Sequence, residues 1–193
     1  MSVTGAEIWR QVITGASASG SASAVATDAR GNVVAAGSIS NNFTVVSLDP
    51  GVGITGTPSS GSGSFQIFSF NFLDPKGFAN IFSAPVLIHS SLTAAGGCFL
   101  DYRRESNAVW LQNDSGSGWI GPSLLGSGAA LQNRQCTGSA ASSSASGSGS
   151  NLTLNLALAF TSAFSGSKNI YAIAYDNQGL TSNWQQRGTW IVP

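Results

Sequence analysis

Residues 151–160 read NLTLNLALAF. Leu152, Leu154, Leu156, Leu158 and Phe160 alternate with Asn, Thr and Ala without a break, and side chains two apart in an extended chain project to the same face. The stretch reads as a strand with one wholly apolar face, because a period of two leaves no helical stripe. Such a face must be buried against a second layer, and the neighbouring segments show what that layer is made of.

Working outward, the same short, turn-bounded pattern recurs in FQIFSFNFL (65–73), APVLIHSSL (84–92), NIYAIAYD (169–176) and RGTWIVP (187–193). CFLDYRR (98–104) and AVWLQND (108–114), joined by a polar turn at Glu105 to Asn107, read as a hairpin. In FQIFSFNFL, Phe68, Phe70 and Phe72 share one face while Phe65 and Ile67 share the other, which predicts a bulge or a two-sided strand. No segment has convincing helical periodicity. About seven strands with turn signals between them predict an all-β domain over residues 65–193, two sheets packed face to face as an immunoglobulin-like β-sandwich. Residues 137–150, TGSAASSSASGSGS, are low in complexity and read as a mobile loop or loose crossover.

On the amino-terminal side, residues 53–64 belong to a Gly-, Ser- and Thr-rich stretch read as a linker. Before it, EIWRQVI, SAVATD, NVVAAG and NFTVVSL predict a small four-stranded antiparallel sheet within residues 1–52. The turn at Asp28, Gly31, Asn32 and Val33 suits a tight connection between two of those strands. Four such strands make one blade of a β-propeller, and a single blade has no neighbour to cover it. Its open edge predicts a homo-oligomer formed through residues 7–49.

Composition narrows the function classes. Charged residues are 8% of the 193, against about a quarter in an average chain, and Ser, Gly and Ala are abundant, as in exported β-rich proteins. Eight basic residues balance eight acidic ones and are scattered, so no basic stripe follows a phosphate backbone and nucleic acid is not an expected partner. The apolar runs fall far short of the roughly 20 residues of a membrane helix, so no membrane span is expected. The opening MSVTGAEIWR lacks a basic segment followed by an apolar core, so no signal peptide is read in this chain.

Two resemblances add to this reading. The run from Trp9 through the Asp28 to Val33 turn to Asp49 resembles a blade of bacterial β-propeller repeats. The F-x-F-x-F strand, the D-P-x-G turn at Asp74 to Gly77, Cys98, LQNDSGSGWIGP, LQNRQC and the closing NWQQRGTWIVP resemble a β-sandwich module of large exported proteins of acidobacterial type. The resemblance implies a secreted or cell-surface setting in a multi-domain parent, and no assigned activity.

The candidate chemistry is sparse, and no motif implies a cofactor. Cys98 and Cys136 are the two cysteines. With one histidine in the chain, a tetrahedral zinc site would have to recruit carboxylate as well, so a disulfide is the better reading, with two buried free thiols as the alternative. His89 is that histidine, so a Ser-His-Asp mechanism would run through it, although its place in an apolar strand equally suits an imidazole held by local hydrogen bonds. Asp101 and Glu105 are a candidate acid–base pair; beside Arg103 and Arg104 they also read as an exposed ion-pair cluster. Asp114 and Asp176 precede small polar residues and either cap turns or ligate calcium, and neither loop has the spacing of a dedicated metal site.

Aromatic residues offer a third route. Trp119 and Trp184 fall in loops, where exposed rings would stack on sugar faces with Asn113, Gln185, Gln186 and Arg187 supplying hydrogen bonds. The alternative is that the rings plug the ends of the sandwich. The leading expectation is a non-catalytic adhesion, display or spacer module of an exported protein. A carbohydrate-binding module facing a polysaccharide or cell-surface partner comes next, then a hydrolase using His89 or the hairpin carboxylates.

Overall fold

The computed structural model describes residues 20–27, 33–39, 42–48 and 52–193. The chain divides into two compact units, Met1–Gly51 and Val52–Pro193. In the first, β1 (Gly20–Thr27), β2 (Val33–Ile39) and β3 (Asn42–Leu48) form an antiparallel sheet in that order. They coincide with three of the four strands expected there; the one expected over residues 7–13, and Asp28, Gly31 and Asn32 of the turn, lie outside the described residues.

The second unit runs β4 (Gly53–Thr57), β5 (Ser60–Ser62), β6 (Phe65–Leu73), β7 (Ile81–His89), β8 (Cys98–Arg103), β9 (Ala108–Gln112) and β10 (Trp119–Leu124). It continues through β11 (Leu131–Gln132), β12 (Cys136–Ser148), β13 (Asn151–Phe160), β14 (Gly166–Ala172), β15 (Tyr175–Asp176) and β16 (Gln185–Val192). One sheet has the order β10-β9-β8-β7-β14-β16-β5, with β15 also on β7; the other has the order β11-β12-β13-β6-β4. The only helical turns among the described residues are 3-10 turns at Phe78–Asn80 and Ser162–Phe164. The fold is all-β and sandwich-like.

The leucine strand organises the core as its alternation predicts. Leu152, Leu154 and Leu156 on β13 lie opposite Phe72, Phe70 and Phe68 on β6, and all six are buried. Val86, Ile88, Leu100, Leu111, Ile170 and Trp190 from the other sheet join the same cluster. Truncating one of these leucines to alanine costs about 2–5 kcal/mol, because the rigid surroundings close over the void only in part. Phe65 and Ile67 stay exposed on the outer face. No bulge relieves them: β6 pairs with β13 in unbroken register, so it is the two-sided strand of the two readings.

Two stretches behave differently from their composition. Residues 53–64, expected to be a linker, supply β4 on β6 and β5, in parallel, on β16. Ile54 is buried, and Gly61 lies where a side chain would meet the indole of Trp190. Residues 137–150, expected to be a mobile loop, are most of β12, which pairs with β13 on both sides of a break between Ser139 and Ser144. There the Ser143 hydroxyl donates to the Ser139 carbonyl and accepts the Ala157 N–H. The small side chains are required because Leu100 packs over Gly138 and Phe78 over Gly147.

Cys98 on β8 and Cys136 on β12 form a disulfide, so the covalent link joins one sheet to the other. Both cysteines are fully buried within the core cluster.

Candidate functional site

The outer face of the larger sheet carries the densest collection of functional groups. In β8, period two turns Cys98, Leu100 and Tyr102 into the core and leaves Phe99, Asp101 and Arg103 on the opposite face. Leu87 and Ser83 on β7 lie opposite Phe99 and Arg103, and Trp110 on β9 lies opposite Asp101. Trp119 opens β10 opposite Gln112, and Tyr175 on β15 lies opposite Ser83.

At the centre is an ion pair. Asp101 is only 4% exposed; Arg103 Nε donates to its Oδ2 at 2.6 Å and Ser83 Oγ donates to its Oδ1 at 2.6 Å. The Arg103 guanidinium also lies over the Phe82 ring, 4.8 Å from its centroid, a cation–π arrangement that holds the long side chain in one place. The expected exposed cluster is therefore divided. Asp101 is buried with both oxygens bonded, while Glu105 sits in the hairpin turn, 3.9 Å from Arg104 and largely in water.

Aromatic rings surround the pair. Phe99 has Trp119 at 5.3 Å on one side and Trp184 at 5.7 Å on the other, centroid to centroid. Trp119 is 45% exposed, whereas Trp184 is half-buried against Phe99. Two adjoining concavities, of about 400 and about 440 Å3, share Phe82, Asp101, Arg103 and Trp119. The first extends to Trp110, Glu105 and Ser106, the second to Phe99, Tyr175 and Asp176. Phe82, Phe99, Trp110, Tyr175, Ser83 and Arg103 are among the members that the sequence did not single out as ligand-binding. The alternation Phe99, Asp101, Arg103 was the signal available for three of this face's residues.

The other candidates are placed elsewhere. Asn113 Oδ1 accepts the N–H groups of Ser117 and Gly118 and the Ser115 hydroxyl, closing its own turn. Gln185 donates to the Ser182 carbonyl and Gln186 to Asn169 Oδ1. Arg187 turns to the opposite sheet, donating to the Ile54 carbonyl at 2.8 Å. His89 Nδ1 faces Ser91, within 3.2 Å of its hydroxyl and 3.1 Å of its N–H, and the ring lies 6.3 Å from that of Phe164.

Asp114 Oδ1 accepts the Arg134 N–H. Asp176 Oδ1 accepts those of Gln178 and Leu180 while its Oδ2 lies 3.4 Å from Asn80 Nδ2. Asp176 thus does the work of a turn cap, whereas Asp114 braces a second loop through Arg134 and does not close its own turn. Among the described residues no group of three or more His, Cys, Asp or Glu gathers as metal ligands would, and no helix is long and apolar enough to cross a membrane.

No family model and no curated protein matches this chain. A solved structure described as "AvmM Catalyzes Macrocyclization in Alchivemycin A Biosynthesis" is similar to 73% of this chain and 87% of its own, with 13% identity and a TM-score of 0.36. That likeness is too distant to bear on function.

Proposed function

We propose that residues 52–193 are a non-catalytic carbohydrate-binding module, an immunoglobulin-like sandwich that gives an exported, surface-associated bacterial protein its adhesion to polysaccharide. The reading rests on one observation: a fixed Asp–Arg pair ringed by Phe82, Trp110, Trp119 and Tyr175 on an open sheet face. Aromatic faces match the C–H faces of sugar rings, and the Arg103 guanidinium, held in place by Asp101, offers its remaining N–H donors to hydroxyl groups in fixed directions. Catalysis has less support, because both oxygens of Asp101 are already engaged and His89 is turned to Ser91.

A glycan array run with the full chain and with Trp119→Ala tests the proposal. Retention of the full chain on a defined class of glycan, lost in the variant at unchanged melting temperature, is expected. Turnover of a glycoside or ester in parallel assays would replace this reading with the hydrolase one.

The first unit is proposed to be the blade-like sheet through which copies associate, since β1 and β3 each pair only with β2 among the described residues and Val25 is exposed. Light scattering should then give an oligomer for the full chain and a monomer after deletion of residues 1–52. A monomeric full chain would refute the association.

A further inference from the structure

The charge around the two concavities goes beyond sugar binding in general. Asp101, Glu105 and Asp176 contribute three carboxylates to the lining, against Arg103 alone. Arg103 is itself neutralised by Asp101 at 2.6 Å. The nearby Arg104 places its Nε on the Ile81 carbonyl and lies beside Glu105, and so adds no free positive charge to the lining. Both arginines are thus paired with carboxylates of the same face, and a carboxylate, sulfate or phosphate on a ligand would give up its water over the aromatic floor with no unpaired cation in the lining to receive it.

The shape adds a second constraint. Each concavity falls within the usual range of small-ligand sites, roughly 300–1,000 Å3. The two meet at the Asp101–Arg103 pair, with Trp110 on one side and Tyr175 on the other. A ligand that used both would cross the pair and place an apolar face on each side.

We infer that the ligand of this face is an uncharged glycan chain, with sugar rings in both concavities and the Asp101–Arg103 pair between them, and that acidic glycans are disfavoured because the lining has no unpaired cation to receive them. The inference rests on the carbohydrate-binding reading above and specifies its substrate class. It also assigns Trp110 and Tyr175 as specificity-determining residues on opposite sides of one continuous site.

The test uses the full chain and a panel of uncharged glucans, mannans, xylans and galactans, each beside a carboxymethylated derivative of the same backbone. Carboxymethylation should weaken binding of the retained polymer tenfold or more. A trisaccharide of that polymer should bind at least tenfold more tightly than the monosaccharide, and Trp110→Ala and Tyr175→Ala should each remove part of that gain, with both variants still folded at the assay temperature. Equal or tighter binding of the carboxymethylated polymer would overturn the charge argument, and a monosaccharide as tight as the trisaccharide would overturn the two-sided site, in both cases with Trp119→Ala still abolishing binding. If no polymer is retained, or Trp119→Ala retains it fully, the carbohydrate-binding reading itself fails and this inference with it.

Discussion

Cys98 and Cys136 sit on opposite sheets with their Cα atoms 5.6 Å apart, and their disulfide is the covalent tie across the sandwich. It closes a loop with a sequence separation of 38, which in the chain-entropy account stabilises the fold by about 4 kcal/mol. The intact protein should weigh two hydrogens less than the reduced chain. Cys98→Ala with Cys136→Ala should lower the denaturation midpoint by a corresponding amount. Two thiols that react with label in the native, unreduced protein would contradict the bridge.

Trp119 and Trp184 flank the same phenylalanine but should respond differently to truncation. Trp119 is 45% exposed, so Trp119→Ala removes little buried area and should change stability by less than about 1 kcal/mol. Trp184 is half-buried on Phe99, and Trp184→Ala should cost about 1–3 kcal/mol. Urea titration of both variants separates the two; equal losses would place Trp119 among the structural rings.

Gly61 lies against Trp190, whose indole N–H donates to the Gly63 carbonyl at 2.8 Å. A β-carbon at position 61 would overlap that ring, so Gly61→Val should cost about 1–3 kcal/mol through overpacking. Ser60→Ala, on the exposed neighbour, should be nearly neutral. A thermal shift assay on the pair is sufficient, and a neutral Gly61→Val would mean that β5 does not dock on β16.

Burial pushes the Tyr102 phenol above its ordinary pKa of 10.0, and the charge of Arg104 partly opposes the shift. The folded chain therefore holds that proton more tightly than the unfolded chain. Its contribution to stability is intact below pH about 10 and is lost as the pH rises through the raised folded value. Melting temperatures from pH 8 to 12 should show an alkaline decline that is smaller in Tyr102→Phe; parallel declines would assign the loss to other groups. The phenol also donates to Asn107 Oδ1 at 3.2 Å, so the variant should begin slightly less stable at neutral pH.

The parts of the fold legible in the sequence were those that carry their own large apolar side chains. NLTLNLALAF, FQIFSFNFL and the CFLDYRR hairpin announce a buried face through period two, and the structure buries those faces. Residues 53–64 and 137–150 form strands that their composition does not announce, for the converse reason. Their glycine, serine and alanine leave space that a partner fills, and the partners, Trp190, Leu100 and Phe78, are distant in sequence. Composition sees what a segment brings and not what is laid upon it.

The candidate site was half legible on the same grounds. Trp119 drew notice as a loop aromatic, yet its companions Phe82, Phe99 and Trp110 lie on three other strands, and only the sheet order brings them together. Asn113 and Arg187 fit a generic picture of sugar contacts. Their polar atoms are instead committed to a turn and to the carbonyl of Ile54.

The pairing of β5 with β16 also bears on how this unit responds to tension. The two strands run in parallel, with Ser60, Gly61 and Ser62 beside Thr189, Trp190 and Ile191, and the seam is fastened by Thr189 N–H to the Ser59 carbonyl at 2.9 Å and Gly63 N–H to the Ile191 carbonyl at 3.0 Å. A load that reaches β5 from its amino-terminal side and β16 from Pro193 drags these strands in opposite directions along their own axes, so the bonds are sheared together and not unzipped one after another. Resistance to such a pull is governed by the rate of forced unfolding and not by the equilibrium stability. Under such a load the unit would draw its mechanical strength from this short seam, at the edge of the sheet that carries the aromatic face.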